Sequence, residues 1–220
     1  MTKFERGLWI TSVIVVSASY IFTGTGEWLN LIASVIGVTA VLFVSKGHAL
    51  GQALVVVFSL LYGFISYHFA YYGEMITFLG MTGPIAAIAL ISWLRHPFEE
   101  TQEVTIARVS HRGLIILILL AIAVTTGFYF ILGALGNANL IFSTISVTTS
   151  FMAASLTVLR SAAYAAWYAS NDAVIIILWI LASMEDPSYT PMIFCFTMFL
   201  INDLYGFYNW RRMSRAQREQ

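Results

Sequence analysis

The residues best suited to binding a small molecule lie in one strongly apolar stretch. Four polar or aromatic side chains follow the i, i+3, i+4, i+7 spacing that places them on one face of a helix: Tyr164, Trp167, Tyr168 and Asn171. Asp172 comes next and adds a carboxylate. Aromatic rings suit a flat heterocycle, amides suit the hydroxyl groups of a ribose or another polyol, and rings with acidic groups favour a cation. The pattern predicts a binding site from which an anionic ligand is excluded.

Three further apolar stretches each carry a stripe of polar residues along one helix face. One stripe is Asn202, Tyr205 and Asn209, with Asp203 next to it. The other two are Gln52, Ser59, Gly63 and Ser66, and Thr144, Thr148 and Ser155. Polar groups at membrane depth cost free energy unless they face protein or water, so the stripes predict a central cavity. Simpler accounts stay open, since hydroxyls can bond their own backbone, asparagines can join helices and aromatic residues can mark the interface. Asp172 is the hardest to explain in these ways, because no Lys or Arg lies at its depth. Asp203 lies nearer a helix end and can be interfacial.

The composition places these stripes inside a membrane. Of 220 residues, 59% are hydrophobic and 10% charged, and the mean hydropathy is +0.81, all outside the range of soluble domains. The single Cys195 excludes an intrachain disulfide and a cysteine-based metal cluster. Runs of apolar residues between turn signals predict eight membrane-spanning helices, near residues 8–23, 28–44, 49–70, 73–93, 113–135, 139–159, 161–183 and 189–210.

The distribution of charge supports eight spans. With both termini on one side, every Lys and Arg falls on that side: Lys3, Arg6, Lys46, Arg95, Arg108, Arg112, Arg160, Arg211, Arg212, Arg215 and Arg218. Glu27, Glu74, Glu185 and Asp186 fall on the other. The positive-inside rule makes the basic side cytoplasmic, which predicts a multi-pass protein of the bacterial cytoplasmic membrane with both termini inside. A net charge of zero gives no indication of a nucleic-acid partner.

An internal repeat follows from the helix ends. The segment from Met81 to Arg95 aligns without a gap with Met198 to Arg212, and both end in Trp followed by Arg, directly or after one residue. The predicted organisation is an extra N-terminal anchor helix (1–27), a three-helix unit (28–95), a cytoplasmic loop with a linker helix (96–138), a second three-helix unit (139–213) and a cytoplasmic tail (214–220). Because the units start four helices apart, they are expected to be parallel.

Several function classes are excluded by residues that they require. A retinal protein needs a lysine within a span, whereas both lysines, Lys3 and Lys46, are expected in the cytoplasm. An intramembrane protease needs an activated nucleophile or a matched pair of Asp, and ATP-driven transport needs a nucleotide-binding motif. The sequence therefore predicts no enzyme, cofactor or metal. A transporter or facilitator, a small channel and a membrane subunit of a larger assembly remain.

Specific motifs then resemble a known family. The run from Phe199 to Met213 looks like the final helix of bacterial PnuC-type vitamin transporters. Trp167-x-x-x-Asn171 resembles the penultimate helix of the same family. Gly80-Met81-Thr82-Gly83-Pro84 and Ser92-Trp93-Leu94-Arg95-His96-Pro97 are similar to the end of the first repeat in Gram-positive members.

The resemblance implies two parallel three-helix bundles joined by a linker helix, as in SWEET sugar transporters. It implies uptake of nicotinamide riboside by facilitated diffusion, with trapping by a cytoplasmic kinase, and a substrate site at Trp167, Asn171 and Asn202. The chain departs from some members at Tyr164 and at Pro84–Ala87. Thiamin, deoxynucleosides, coupling to protons or sodium, and assembly into homo-oligomers therefore stay open.

Overall fold

The structure is a computed structural model that describes residues 1–23, 28–68, 72–137 and 139–219. Eight helices in these ranges are long and apolar enough to cross a membrane, which confirms the predicted all-α fold with eight spans. They are α1 (Lys3–Thr23), α2 (Trp28–Ser45), α3 (Ala49–His68), α4 (Tyr72–Thr77, Phe78–Thr82 and Gly83–Leu94), α5 (His111–Ala134), α6 (Leu140–Val158), α7 (Tyr164–Glu185) and α8 (Thr190–Glu219). The predicted turn at Gly24–Glu27 lies outside the described residues.

The first helix begins earlier than predicted, at Lys3 instead of residue 8. The Oγ1 of Thr2 accepts a hydrogen bond from the backbone N–H of Glu5 at 3.1 Å. In return, the carboxylate of Glu5 accepts one from the N–H of Thr2 at 2.7 Å. This reciprocal capping box satisfies two N–H groups that a helix start otherwise leaves free, so charged residues can enter the first turn.

The last helix continues to Glu219, through most of the segment predicted as a tail. Tertiary hydrogen bonds explain the extension. The side chain of Gln217 accepts from the backbone N–H of Ile106 at 2.8 Å and donates to the backbone carbonyl of Val104 at 3.1 Å. The final turn of α8 is thereby fastened to the loop between α4 and α5.

The helices form two three-helix groups whose contacts repeat. Within the first group α3 packs against α2 and α4, and within the second α7 packs against α6 and α8. The groups meet twice, where α2 contacts α8 and where α4 contacts α6. The first helix of each group thus meets the third helix of the other, as a parallel repeat requires. Helix α1 packs on α8 and α2, and the linker helix α5 packs on α6.

Two tryptophans repeat this exchange in atomic detail. The indole N–H of Trp93, in α4, donates to the backbone carbonyl of Thr157 in α6 at 2.9 Å. The indole N–H of Trp210, in α8, donates to the carbonyl of Val44 in α2 at 2.9 Å. Their ring centroids lie 5.4 Å apart. We call Trp93 and Trp210 the tryptophan clasp, because each holds one helix group to the other.

The clasp lies at the end of the bundle that holds all 11 Lys and Arg residues, which we call the basic end. The loop of residues 95–110 covers this end, with the backbone N–H of Val104 bonded to Gly47 and that of Ala107 bonded to Arg160. At the opposite, acidic end, a turn precedes α8. The N–H of Ser188 donates to the carboxylate of Asp186 at 2.9 Å, and this hydrogen bond lowers the pKa of Asp186.

Candidate functional site

A small cavity lies between the two helix groups, and all six of their helices contribute to its wall. Its volume is about 90 Å³. Since a water molecule takes about 30 Å³, this conformation has room for roughly three waters and is closed to larger ligands. The polar side chains that line this central cavity are Gln52, Thr82, Ser150, Tyr168, Asn171, Asp172 and Asp203.

Two carboxyl groups meet at the cavity, although they come from different helices. Asp172 in α7 is 3% exposed and Asp203 in α8 is 4% exposed, and their side chains are within hydrogen-bonding reach of each other. A hydrogen bond between two carboxyl groups needs at least one proton, so a bonded pair carries at most one negative charge. Among the described residues that line the cavity, none is a Lys or Arg. The cavity is therefore electrostatically suited to a cation.

The amide of Asn171 is oriented by two hydroxyl groups of α6. Its carbonyl oxygen accepts hydrogen bonds from Ser146 Oγ at 3.1 Å and Thr149 Oγ1 at 2.9 Å. Among the described contacts, both of these bonds go to the carbonyl oxygen of Asn171, which lines the cavity, so they do not use the donors of its NH₂ group. An amide fixed in this way is well placed to bind a ligand hydroxyl.

Aromatic rings form much of the apolar wall. Phe58 stands edge-on to both Phe78 and Phe199, with centroids 5.8 and 5.9 Å apart. Phe196 continues the cluster at 5.2 Å from Phe199. The Phe199 ring packs closely against α2 because residue 37 is a glycine, and a Cβ atom at Gly37 would collide with that ring. Such rings can bind a flat, positively charged heterocycle by stacking and cation–π contact.

Of the nine residues predicted to bind a ligand, the central cavity gathers four: Gln52, Tyr168, Asn171 and Asp172. The other five lie elsewhere in this conformation. Trp167 lines a separate groove beside α5, which is described below. Helical periodicity placed Trp167 and Asn171 on one face, but a face wider than 100° borders more than one space.

Asn202 and Tyr205 contact the N-terminal helix. The amide of Asn202 donates to Ser12 Oγ at 3.0 Å and to the carbonyl of Met198 at 2.7 Å, while its own carbonyl oxygen is buried with no partner among the described residues. The hydroxyl of Tyr205 donates to the carboxylate of Glu5 at 2.9 Å. These contacts hold α1 against α8.

Tyr164 and Asn209 lie at the basic end. The hydroxyl of Tyr164 donates to the carbonyl of Val44 at 3.3 Å, and its ring stands edge-on to Trp210 at 4.7 Å. The amide of Asn209 donates to the carbonyl of Ser45 at 3.0 Å. Both residues therefore support the tryptophan clasp.

The structure adds cavity residues that the polar stripes did not single out. Asp203 follows Phe196 and Phe199 at helical spacing, so the three share one face of α8. This spacing is a pattern from which the position of Asp203 at the cavity could have been predicted. No comparable spacing marked Ser150 or Thr82. Thr82 lies in the π-helical turn Phe78–Thr82, where the usual helical periodicity shifts.

A second cavity of about 90 Å³ lies toward the acidic end. Its wall includes Glu74, whose carboxylate is hydrogen-bonded by the Tyr62 and Ser66 side chains. Three residues line both cavities and so separate them: Phe78, Ile175 and Phe196. We call these three side chains the partition.

Comparison with known proteins agrees with this architecture. A sequence profile of the family described as nicotinamide mononucleotide transporter matches residues 27–212. The chain belongs to this family. It is accordingly a multi-pass membrane protein of a transporter family, and the family match begins just before α2.

Individual relatives cover the whole chain. A protein of Neisseria mucosa named nicotinamide riboside transporter PnuC is 27% identical over 225 residues, which is 100% of this chain and 85% of the relative. A protein of Haemophilus influenzae with the same name is 24% identical over 208 residues, or 94% of this chain and 89% of the relative. A crystal structure of the vitamin B3 transporter PnuC is 25% identical in sequence, with a TM-score of 0.84. The match covers 99% of this chain and 94% of the chain in the crystal structure.

Proposed function

We propose that this protein carries nicotinamide riboside across the bacterial cytoplasmic membrane by facilitated diffusion, with its basic end and both termini in the cytoplasm. The observation that supports this substrate best is the carboxyl pair Asp172–Asp203 in a cavity whose wall also holds aromatic rings, amides and aliphatic side chains. Nicotinamide riboside offers a matching partner for each feature. Its pyridinium ring is flat and cationic, and its ribose presents hydroxyl groups.

The same chemistry favours the riboside over the mononucleotide for which the family is described. A phosphate group would meet the negative charge of the carboxyl pair, and no Lys or Arg among the described lining residues compensates for it. The negative charge of the carboxyl pair would also support the trapping that the family resemblance implies. Once a cytoplasmic kinase has phosphorylated the riboside, the product is repelled by the carboxylates through which the substrate entered.

The two cavities define a route for the substrate. It enters at the acidic end beside Glu74, passes the partition and reaches the central cavity beneath Asn171. Because the central cavity holds only about 90 Å³, far below the ~300–1,000 Å³ of typical ligand sites, the helix groups must separate for the substrate to bind. Trp167 and Asn202, which the family resemblance assigns to the substrate, are candidates to join the site in that opened state.

The substrate is tested by calorimetry on purified protein with the riboside, the mononucleotide, thiamin and deoxynucleosides. The riboside is expected to bind most tightly and the mononucleotide at least tenfold more weakly. The informative variant is Asp172→Asn with Asp203→Asn, compared with Asp186→Asn at the exposed turn. The double variant should weaken the riboside about tenfold or more and leave the uncharged dihydronicotinamide riboside within a few-fold, because only the cation loses a charge partner.

Thiamin is the second candidate, because it is also a cation with an aromatic ring and the same carboxyl pair favours it. Tighter binding of thiamin than of the riboside would replace the proposed substrate. Transport itself is tested in proteoliposomes. Uptake that needs no ion gradient supports facilitated diffusion, uptake abolished by collapsing the gradients indicates a symporter, and absence of any uptake by folded protein indicates a non-transporting subunit.

A further inference from the structure

A large groove at the basic end lies apart from the two cavities of the proposed substrate path, and Trp167 is among the residues that line it. It is lined by α5, by α6, by the start of α7, by residues 106–109 of the loop and by the end of α8. Its volume is about 820 Å³, which is ninefold that of the central cavity and within the range of small-molecule sites. The groove exists because α5 packs closely on α6 alone, which leaves its other side open toward α7 and α8.

The depth of the groove matches half of a bilayer. On α5 its wall runs from Leu114 to Thr126, twelve residues apart, or about 18 Å along a helix. One leaflet of the hydrocarbon core is about 15 Å deep. Leu114, Ile118 and Ile122 along this length are apolar and exposed, whereas the deep end of the groove carries the hydroxyl groups of Thr125, Thr126 and Thr148. The groove therefore reaches from the basic end to the middle of the membrane.

The mouth of the groove is positively charged. Arg108 of the loop and Arg218 of α8 line it, and both are exposed. Arg160 lies close by, because its carbonyl accepts a hydrogen bond from Ala107. No Asp or Glu lines the groove, and among the described residues neither Arg108 nor Arg218 forms an ion pair.

We propose that this groove binds an anionic phospholipid, with the headgroup phosphate between Arg108 and Arg218 and one acyl chain along α5. Mostly apolar walls of one leaflet's depth lie beneath two arginines that have no ion-pair partner in the described part of the chain, so the groove is complementary to such a lipid at both ends. Basic pockets between transmembrane helices bind anionic headgroups in this way. The lipid would fill the space between the linker helix and the second helix group, and so tie α5 to the rest of the bundle.

The test uses full-length protein stripped of lipid in detergent. Phosphatidylglycerol or phosphatidylcholine is added back, and native mass spectrometry measures the lipid retained while a thermal scan measures the rise in Tm. Wild-type protein should retain phosphatidylglycerol preferentially. Arg108→Gln with Arg218→Gln should reduce that preference, by about fivefold for each arginine. The matched control, Arg95→Gln with Arg215→Gln, removes two charges from the same end but outside the groove and should leave the preference unchanged.

A second variant tests the acyl chain. Ile118→Trp fills the groove without changing charge, and it should reduce retention of phosphatidylglycerol while the arginines remain. Equal retention of both lipids by wild-type protein, or equal losses in the two arginine pairs, would overturn the proposal. So would an equal rise in Tm with inorganic phosphate alone, because the site would then bind an anion and no chain. Loss of riboside binding in Arg108→Gln with Arg218→Gln would instead make the groove part of the substrate path.

Discussion

At the scale of single residues, the two buried aspartates act as one group. From depth alone a functional role is easier to assign to Asp172 than to Asp203, because a deeper carboxylate has fewer structural partners. The contact between them changes this expectation. A pair that shares one proton carries one negative charge, and either residue alone can carry the same charge.

The charge of the pair predicts a strongly non-additive result. Asp172→Asn and Asp203→Asn should each weaken riboside binding by less than about twofold, whereas the double variant should lose about tenfold or more, which exceeds the product of the two single losses. The measurement is calorimetry on the three variants and wild type at one pH. Single losses that multiply to the loss of the double variant would show that both carboxylates are ionised and act separately.

Asn171 offers a second residue-scale prediction. Thr149→Val removes one of the two hydroxyls that orient its amide, so riboside binding should weaken by about two- to tenfold, as for one hydrogen bond of about 0.5–1.5 kcal/mol. Thr144→Val is the matched control on the same helix, because the Thr144 hydroxyl bonds only to its own backbone, at Leu140, among the described contacts. Equal affinities for the two variants would remove Asn171 from the substrate site.

At the scale of helices, α4 is the element with an irregular backbone. Its π-helical turn Phe78–Thr82 supplies Phe78 to the partition and Thr82 to the central cavity. A π turn inserts a residue into the helical repeat and often occurs where a helix serves a site. Small changes in this turn would move the partition without moving the ends of α4.

Removal of the Phe78 ring should join the two cavities. In protein with Cys195 replaced by Ser and a reporter cysteine at Ser150, Phe78→Ala is expected to speed labelling from the acidic end by about tenfold or more. The labelling rate is measured with a membrane-impermeant thiol reagent, by quenching samples at successive times and determining the labelled fraction by mass spectrometry. Phe64→Ala is the control, because Phe64 is 60% exposed and faces away from the cavities. Unchanged labelling in Phe78→Ala would mean that the other two partition residues close the route by themselves.

The N-terminal helix is held by the buried carboxylate of Glu5, which lies 4.0 Å from Lys46 Nζ and accepts the Tyr205 hydroxyl. Glu5→Gln should lower Tm, because hydrogen bonds to a charged group contribute about 1.5–3 kcal/mol. Tyr205→Phe in the Glu5→Gln background should add less than it does in wild type, because one contact cannot be lost twice. Glu100→Gln, at an exposed loop position, is the control for the change of charge. Full additivity in the double variant would show that the contact stabilises nothing.

The fold was predictable from sequence because its signals are spaced at the length of a membrane crossing. Apolar runs and the positions of the arginines indicated all eight helices. The ends of α1 and α8 were missed, since a capping box at Thr2 and the bonds of Gln217 to a distant loop extend helices into charged sequence. Amino-acid composition does not indicate either the capping box or the tertiary hydrogen bonds of Gln217.

The site was less predictable, because a polar residue in a helix has several places to face. Asn171 and Asp172 reach the cavity, whereas Asn202, with a similar pattern of neighbours, bonds to Ser12 of α1. A partner 190 residues away leaves no local signal. Asp203 was the converse case: the sequence placed it near a helix end, whereas α8 continues to Glu219 and Asp203 contacts Asp172 of α7.

At the scale of the whole molecule, the tryptophan clasp joins the two helix groups at the basic end. Opening toward that end requires both indole N–H bonds to break, at Thr157 and at Val44. Trp93→Phe and Trp210→Phe keep an aromatic ring but remove the donor. Each is expected to raise the reactivity of a cysteine at Ser45 toward a reagent supplied at the basic end, and Trp28→Phe, at a position 70% exposed, is not. Equal reactivity in all three would show that the clasp does not limit opening.

The sidedness of the bundle is testable in intact cells. Single cysteines at Asn137 and Glu185, in protein lacking Cys195, should react with an impermeant maleimide from outside. Cysteines at Lys46 and Gln102, at the basic end, should react only after the cells are permeabilised. Labelling of Gln102 from outside would reverse the proposed orientation.

The charge state of the carboxyl pair during transport determines whether uptake responds to voltage. If a cationic riboside crosses alone, each molecule carries one positive charge inward, and a 100 mV potential, negative inside, favours that movement by about 2.3 kcal/mol. This corresponds to roughly fiftyfold accumulation of the free riboside before any phosphorylation. Uptake into proteoliposomes should then rise with an inside-negative potassium diffusion potential. If the proton shared by Asp172 and Asp203 moves outward for each riboside that enters, the exchange is electrically neutral, and the same potential will leave the final accumulation unchanged.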